Sequence, residues 1–325
     1  MAGLDMRALA ETLRNARGLA AKAEIGTVAD RLGLSPASSI PAGDDCAAIP
    51  DGEGYLLFAI EGFIEEFVAA DPWFAGWCGA MVNISDVAAM GGRPVAMVDA
   101  IWAERAESSG PILAGLKAAA EAFAVPIVGG HTNLRASRGQ LSVAILGRAG
   151  RLLTSFDARP GDKLVAAIDL RGRYRDPFAN WDAATGAPFA RLRSDLELLP
   201  RIAEAGLSRA AKDISQGGIV GTAAMLAECS GVGVRIDVRA VPKPDSVPTD
   251  RWMMTFPSFG YLLAVAPDDV GAVTRLFHER DIGASDIGDV LESDEVAIAD
   301  EETIEVIWDF ARLPLIGARR RETVG

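Results

Sequence analysis

Four short stretches of the sequence place acidic or small polar residues beside glycine. They are Gly43-Asp44-Asp45, Asn83 with Asp86, Gly129-Gly130-His131-Thr132, and the segment from Asp213 to Gly218. Mg²⁺ takes about six oxygen ligands, which in proteins are commonly carboxylates, water and phosphate. Glycine lets backbone N–H groups come close to a phosphate. Together these residues could hold a metal ion against a phosphorylated ligand.

Each stretch also has a simpler structural interpretation. Gly43-Asp44-Asp45 fits a solvated acidic turn, and its two carboxylates reach one ion only if the backbone bends between them. Asp213 could cap the helix that follows it. His131 could serve a structural role in a glycine turn. Asp86 is harder to explain in this way, because an unpaired carboxylate is costly among Ala and Met side chains. Asn83, three residues earlier, shares its helix face.

Three common catalytic signatures are missing from the sequence. It contains no Gly-x-x-x-x-Gly-Lys-[Ser/Thr], no Gly-x-Gly-x-x-Gly after a strand, and no Gly-x-Ser-x-Gly. The P-loop, Rossmann and nucleophile-elbow interpretations therefore lack their usual support.

Apolar periodicity predicts the elements that would position these residues. Residues 4–33 have the spacing of amphipathic helices. The run from Tyr55 to Ile60 is apolar without alternation, which predicts a strand covered on both faces. Asp71-Pro72 predicts the start of a helix that ends near Met90. A strand at Pro126–Val128 is expected to stop at the glycines that follow.

Strands and helices alternate through both halves of the chain, which predicts an α/β (or α+β) fold with two domains. The predicted divisions are a helical segment at 1–34, a first domain at 35–153 and a second at 154–325. Residues 171–190 are rich in Arg, Asp, Gly, Pro and aromatic residues, and are expected to form a loop or lid.

Composition excludes several classes of protein. The 325 residues carry a net charge of −13, which argues against a general nucleic-acid binder but not against a nucleotide binder. The sequence contains no run of about 18 apolar residues, so no membrane span is expected. The N-terminus does not have the pattern of a signal peptide. The three cysteines have no metal-ligand or disulfide spacing, so we expect a reducing cytoplasm.

Five motifs, in order, resemble those of the PurM-like superfamily. Its members include aminoimidazole ribonucleotide (AIR) synthetase, thiamine-monophosphate kinase, selenophosphate synthetase and HypE. The matching segments are Gly43-Asp44-Asp45-Cys46-Ala47, Asn83-Ile84-Ser85-Asp86 with Ala88 to Gly91, Gly129-Gly130-His131-Thr132, Pro160-Gly161-Asp162, and Asp213 to Gly221. The resemblance spans roughly residues 40–300.

The resemblance implies a nucleotide site with ATP between two α/β domains and Mg²⁺ at its phosphates. It also implies a homodimer in which the first domains pair their sheets into a barrel. The implied metal ligands are Asp44, Asp45, Glu61, Asp86 and Asp213. The implied nucleotide-binding residues are Asn83, Ser85, Gly129, Gly130, His131, Thr132, Gly217 and Gly218.

Departures from the motifs leave the branch of the superfamily unassigned. The kinase branch has aspartates where this chain has Glu61, His131 and Gln216. Selenophosphate synthetase carries a reactive Cys or selenocysteine that residues 1–33 lack, and HypE ends in a cysteine where this sequence ends in Gly325. We also find no substrate-phosphate residues of AIR synthetase.

The expected activity is ATP- and Mg²⁺-dependent phosphoryl transfer to, or activation of, an unidentified small molecule. Two alternatives stay open at this point. One is a non-catalytic nucleotide-binding subunit or a maturation factor that acts with a partner enzyme, and the other is a kinase similar to thiamine-monophosphate kinase. The sequence names neither a catalytic residue nor an acceptor.

Overall fold

The computed structural model describes residues 4–33 and 40–318. The predicted boundary between residues 34 and 35, and the last seven residues of the sequence, lie outside these ranges. Within them, no helix has the length and apolar character needed to cross a membrane.

The α-helices of the described residues are mostly short. The two longest are the fourth and the fifth, which precede and follow a ten-residue strand at Arg93–Trp102. The helices are α1 (Met6–Arg14), α2 (Arg17–Leu32), α3 (Glu65–Ala70), α4 (Pro72–Ala89), α5 (Ala106–Phe123), α6 (Phe189–Leu196), α7 (Leu198–Ala205), α8 (Gly218–Ser230), α9 (Thr249–Met253) and α10 (Val270–His278).

The strands of the described residues form three sheets. They are β1 (Ala47–Asp51), β2 (Gly54–Phe63), β3 (Arg93–Trp102), β4 (Ile127–Asn133), β5 (Gln140–Ala149), β6 (Lys163–Ile168), β7 (Arg173–Tyr174), β8 (Asn180–Asp182), β9 (Ala210–Asp213), β10 (Gly233–Asp237), β11 (Phe256–Pro257), β12 (Gly260–Val265), β13 (Gly283–Leu291), β14 (Glu295–Ala299) and β15 (Ile304–Asp309).

The chain divides into two compact units. Residues 45–152 and 186–201 form the five-stranded unit, named after its sheet. The described residues within 1–44, 153–185 and 202–325 form the seven-stranded unit. The N-terminal helices therefore group with the C-terminal sheet, and α6 groups with the first sheet. Arg193 of α6 donates hydrogen bonds to the carbonyls of Glu121 and Ala122 at the end of α5, which holds α6 in the five-stranded unit.

The five-stranded unit has the strand order β1-β2-β5-β3-β4, and α4 packs on one face of this sheet. The packing is close, because a Cβ added to Gly79 of α4 would lie 2.9 Å from a methyl of Val143 in β5. Alternation of side chains then assigns each strand residue to the α4 face or to the opposite face.

The opposite face of this sheet is open in the single chain and is largely apolar. Ile60 pairs with Ala144, which pairs with Val98 across three adjacent strands. Ile60 and Val98 are 67% and 40% exposed, and Phe58 is 52% exposed. The prediction that β2 is covered on both faces is therefore wrong for the single chain. Apolar residues on both faces of a strand indicate that each face is suited to burial. The pattern does not say whether a face is covered by the same chain or by another molecule.

The structure also corrects the predicted end of β4. The strand continues through Gly129-Gly130-His131-Thr132 to Asn133, instead of turning after Val128. Parallel pairing with β3 explains the difference, because Val98 to Trp102 align with residues 129–133 after a shift in register. The glycines therefore lie in an edge strand of the sheet.

The seven-stranded unit has the strand order β15-β14-β10-β13-β6-β12-β9. Its core includes residues of α1, α2 and α8 with the buried faces of these strands. Residues 171–190 do not form only a loop, because β7 and β8 join β11 in a small sheet. The aromatic rings of Tyr174, Trp181 and Trp252 pack edge to face in this region.

Candidate functional site

Helix α4 positions two buried polar side chains of the five-stranded unit. As predicted, Pro72 opens the helix and the Asp71 side chain accepts a hydrogen bond from the N–H of Phe74. Asn83 is fully buried, and its Nδ2 donates to the carbonyl of Gly79 at 2.8 Å. Its Oδ1 has no hydrogen-bond partner among the described residues. Asp86 is only 4% exposed.

Asp45 and Asp86 come together in the five-stranded unit. A carboxylate oxygen of Asp45 lies within 4.8 Å of one from Asp86. Two carboxylates at this separation repel each other unless a cation or proton lies between them. Carboxylate oxygens are also the ligands that Mg²⁺ prefers. The pair, with the unsatisfied oxygen of Asn83 on the same helix, therefore fits a divalent cation.

Asp44 has different surroundings from its neighbour. It belongs to the seven-stranded unit, where its carboxylate accepts hydrogen bonds from the N–H of Ser155 at 2.8 Å and from the Ser155 hydroxyl at 2.7 Å. These bonds hold the chain just before β1 to the segment after β5. The metal-ligand role of Asp44 remains a prediction, and the structure shows a positioning role in addition.

A row of residues crosses the α4 face of the five-stranded sheet. Glu61 and Asp99 both pair with Val143, one from each side, and Asp99 also pairs with Gly130. Directly paired residues share a face, so both carboxylates lie on the side that α4 covers. A Cβ at position 130 would lie 2.5 Å from the backbone carbonyl oxygen of Asp99, which cannot move aside as a side chain can, so glycine is needed there. Burial raises the pKa of the Asp99 carboxyl above its usual range.

The other predicted nucleotide-binding residues of this unit have mixed orientations. His131 is exposed and pairs with Ala100, which places it on the face opposite to Gly130 and Asp99. Its ring lies 6.0 Å from that of Trp102 between centroids. Thr132, also exposed, returns to the α4 face, and Ser85 is half-buried in α4. Their roles remain predictions.

The seven-stranded unit carries the last predicted stretch. Asp213 is 3% exposed at the end of β9, where β9 pairs with β12. Gly217 and Gly218 have φ values of +104° and +62°, which non-glycine residues rarely adopt. A Cβ on Gly218 would also lie 2.2 Å from the carbonyl oxygen of Met253. The two glycines therefore make the sharp turn from Asp213 into α8 possible.

The structure adds residues that sequence reasoning missed. Asp99 was detectable as an isolated acid in an apolar strand. Ser155 gave no signal, since its partner Asp44 lies 111 residues away in the sequence. Lys22 is 8% exposed in α2, and its Nζ lies 3.2 Å from the hydroxyl of Ser215 in the turn before α8. Lys22 is four residues from both Gly18 and Gly26, so it lies on the same helix face as the two glycines. This spacing was the feature of the sequence that could have pointed to Lys22.

The fold is that of a PurM-like protein. Residues 43–149 match the model of the AIR synthase related protein N-terminal domain, and residues 183–301 match the model of its C-terminal domain. An uncharacterized protein of Synechocystis sp. is 44% identical over 286 residues, which cover 87% of this chain and 88% of the relative. The chain belongs to the AIR synthase-related family of the PurM-like superfamily.

Solved structures share this fold at low sequence identity. The structure of T. maritima PurL complexed with FGAR superimposes with a TM-score of 0.75 at 19% identity, and the match covers 99% of this chain and 55% of that one. A ThiL structure complexed with AMPPCP and TMP superimposes with a TM-score of 0.67 at 20% identity, covering 86% and 94% of the two chains. The superfamily includes kinases and synthetases that use ATP.

Proposed function

We propose that this protein binds Mg²⁺ and ATP and uses them to phosphorylate or activate a small molecule. The observation that carries the proposal is the close approach of the Asp45 and Asp86 carboxylates, with the unsatisfied oxygen of Asn83 three residues before Asp86 in α4. Two carboxylates this close favour a cation or a proton between them, and a cation held by protein carboxylates commonly binds phosphate oxygens as well. Family membership and the nucleotide bound by the similar ThiL structure support ATP as the phosphate donor.

In this proposal Asp45 and Asp86 hold the metal, and Asp213, Asp44 and Glu61 are further candidate ligands. When bound, Mg²⁺ neutralises negative charge on the phosphates. Asn83 uses its free oxygen to orient a metal-bound water or a ligand N–H, since its amide is already fixed by Gly79. Gly129 and Gly130, with Ser85, His131 and Thr132, contact the nucleotide, while Gly217 and Gly218 contact phosphate. Positioning and charge neutralisation then supply most of the catalysis.

The first test measures binding of the ATP analogue AMPPCP by isothermal titration calorimetry, with and without Mg²⁺. Asp86→Asn keeps the shape of the side chain but removes its charge, so we expect the Mg²⁺-dependent part of the affinity to fall at least about tenfold. Exposed Asp268 provides the matched control, because Asp268→Asn changes the net charge equally and should bind as the wild type does.

The second test addresses the reaction. A thermal-shift screen of metabolites in the presence of AMPPCP would find the acceptor, and formation of ADP from ATP with that acceptor would then be followed. Loss of ADP formation in Asp86→Asn supports catalysis at this site. Failure of the wild type to bind nucleotide at millimolar concentration would contradict the whole proposal, whereas binding without turnover of any acceptor would favour a nucleotide-binding subunit.

We also propose that the protein forms a homodimer through the open face of the five-stranded sheet. The support is the row of Ile60, Ala144 and Val98, in which Ile60 and Val98 are exposed, with exposed Phe58 beside it. An apolar sheet face of this kind is stabilised by being covered.

A further inference from the structure

The small sheet of the seven-stranded unit has one aromatic face and one charged face. Tyr174 of β7 pairs with Trp181 of β8, and their rings pack edge to face. Trp181 also packs against Trp252, so this aromatic face is used for packing. Paired residues share a face and neighbours alternate, so the next pair, Arg173 with Asp182, lies on the opposite, charged face.

Asp182 holds a second arginine on the charged face. Its Oδ2 accepts a hydrogen bond from Nε of Arg175 at 3.0 Å. Its Oδ1 accepts from the N–H groups of Ala184 and Thr185 at 3.1 and 2.9 Å. Asp182 is 6% exposed, so water competes little with these bonds and the guanidinium of Arg175 is held in a fixed place.

A third arginine is held by another buried carboxylate just before β7. Nε and Nη2 of Arg171 donate to the two carboxylate oxygens of Asp169 at 2.8 and 3.1 Å. Asp169 is buried, and a bidentate pair of this kind fixes the plane of the guanidinium. Arginines therefore occupy every second position from 171 to 175, and buried aspartates orient the first and the last of them.

Arg173, between these two, is different. Its side chain is exposed and makes no ion pair or hydrogen bond with the described residues. Two acids lie close to it in the chain or in the sheet, and both have other partners. Asp176 is bonded to Arg251 at 2.6 Å, and Asp182 already accepts three hydrogen bonds. The positive charge of Arg173 therefore faces solvent beside an arginine that is already oriented.

The hydroxyl of Thr185 is a second, independent observation at the same place. Its Oγ1 is buried and has no hydrogen-bond partner among the described residues. The N–H of Thr185 donates to Asp182, so this hydroxyl lies close to the carboxylate that faces Arg173. A buried hydroxyl without a partner costs free energy, and a bound ligand would supply the missing bond.

The small sheet is joined to the turn that begins at Asp213. The N–H of Ser258 donates to the carbonyl of Trp181 at 2.9 Å. Two residues further on, the carbonyl of Gly260 accepts a hydrogen bond from the N–H of Ile214, also at 2.9 Å. A ligand on the charged face would therefore lie in the same region of this unit as Asp213, a candidate metal ligand in the proposed function.

We propose that Arg173, together with Arg175 and the Thr185 hydroxyl, binds an anionic group of the acceptor. The group is an oxyanion, either phosphate or carboxylate, because the planar fork of a guanidinium matches the geometry of both. This inference rests on the proposed function, in which an acceptor receives the activating group. It gives residues 171–185 the task of selecting an acceptor that already carries negative charge.

The test titrates inorganic phosphate and acetate into protein saturated with Mg²⁺–AMPPCP, by isothermal titration calorimetry. The analogue fills the nucleotide site, and whichever anion binds more tightly identifies the group. Loss of a charge-assisted hydrogen bond in Arg173→Gln should weaken binding of that anion by about 10- to 100-fold. Arg209, which is exposed in the same unit, provides the control, and Arg209→Gln should bind the anion as the wild type does.

The outcomes separate the acceptor from the nucleotide. Weaker anion binding with unchanged AMPPCP affinity in Arg173→Gln supports the inference. A loss of AMPPCP affinity specific to this variant would assign Arg173 to the nucleotide and overturn it. Equal anion affinities of wild type and Arg173→Gln would also overturn it, as would a wild type that binds neither anion. If the wild type binds no AMPPCP, the proposed function fails, and the same titration without nucleotide decides whether Arg173 binds the anion.

Two further variants separate a binding role from a structural one. Valine has nearly the shape of threonine and needs no hydrogen bond, so ligand-free Thr185→Val should unfold at the same or a higher temperature than the wild type, yet bind the anion more weakly. Arg173→Lys keeps the charge without the planar fork and should recover part of the affinity. An Arg173→Gln protein that unfolds at a much lower temperature than Arg209→Gln would show that Arg173 is structural, and would overturn the inference.

Discussion

Asp44 and Asp45 show how two identical neighbouring side chains take different tasks. Gly43, with φ of +123°, turns the backbone just before them. Asp44 then accepts two hydrogen bonds from Ser155, while Asp45 approaches Asp86. One acid of the pair therefore fastens the chain to Ser155, and the other is a candidate metal ligand.

At the same scale, the burial of Asp99 predicts that the stability of the protein depends on pH. Burial raises the pKa of Asp99, so the folded protein holds the protonated form to a higher pH than the unfolded chain, whose aspartates titrate near about 3.9. The wild type should therefore lose stability as the pH rises through this interval. Asp99→Asn cannot ionise and should be more stable than the wild type above the interval and equal to it below.

Urea unfolding of the two proteins at several pH values measures this difference. The control is Asp268→Asn, which makes the same substitution at an exposed position and shows what the change of an aspartate to asparagine does by itself. If Asp99→Asn is less stable than the wild type at neutral pH, the ionised carboxylate has a partner that stabilises it, and the interpretation of Asp99 as a desolvated acid is wrong.

At the scale of elements, the start of α8 depends on one backbone conformation. Gly218 has φ of +62° and faces the carbonyl of Met253, so a methyl group there meets both backbone strain and a clash. We expect Gly218→Ala to lower the free energy of unfolding by about 1–3 kcal/mol and to weaken phosphate binding at the turn.

Gly271 in α10 is the matched control for that substitution. It has ordinary helical geometry and nothing lies within 4 Å of an added Cβ. Gly271→Ala should therefore stabilise the protein by up to about 1 kcal/mol, as alanine does in helices. Chemical denaturation of both variants checks the pair, and a neutral Gly218→Ala would show that the turn can rearrange.

Sequence reasoning predicted elements well where the signal was local. Asp71-Pro72 marked the start of α4 correctly because capping involves only adjacent residues. The continuation of β4 through Gly129 and Gly130 depended on pairing with β3, which local propensity does not contain. The position of α2 against the turn before α8 likewise depends on contacts across nearly 200 residues. Family motifs identified the acids, but Lys22 and Asp99 lie outside those motifs.

At the scale of the whole molecule, the open sheet face predicts the oligomeric state. Light scattering after gel filtration should show a dimer for the wild type. Phe58→Lys with Ile60→Lys places two charges on the face that we propose is covered, so this variant should be a folded monomer. Ile304→Lys, at an equally exposed apolar position of β15, should remain a dimer. A wild type that stays monomeric at high micromolar concentration would contradict the proposed interface.

The seven-stranded unit is assembled from three separated lengths of chain, and Arg14 shows what this means during synthesis. Its guanidinium donates hydrogen bonds to the carbonyl of Val306, which lies 292 residues further along the chain. On the ribosome, α1 and α2 are therefore synthesised long before the last strands of their own unit. The five-stranded unit can fold before those strands are made. In the nascent protein, α1 therefore cannot complete its packing against β15 until the last strands have been synthesised.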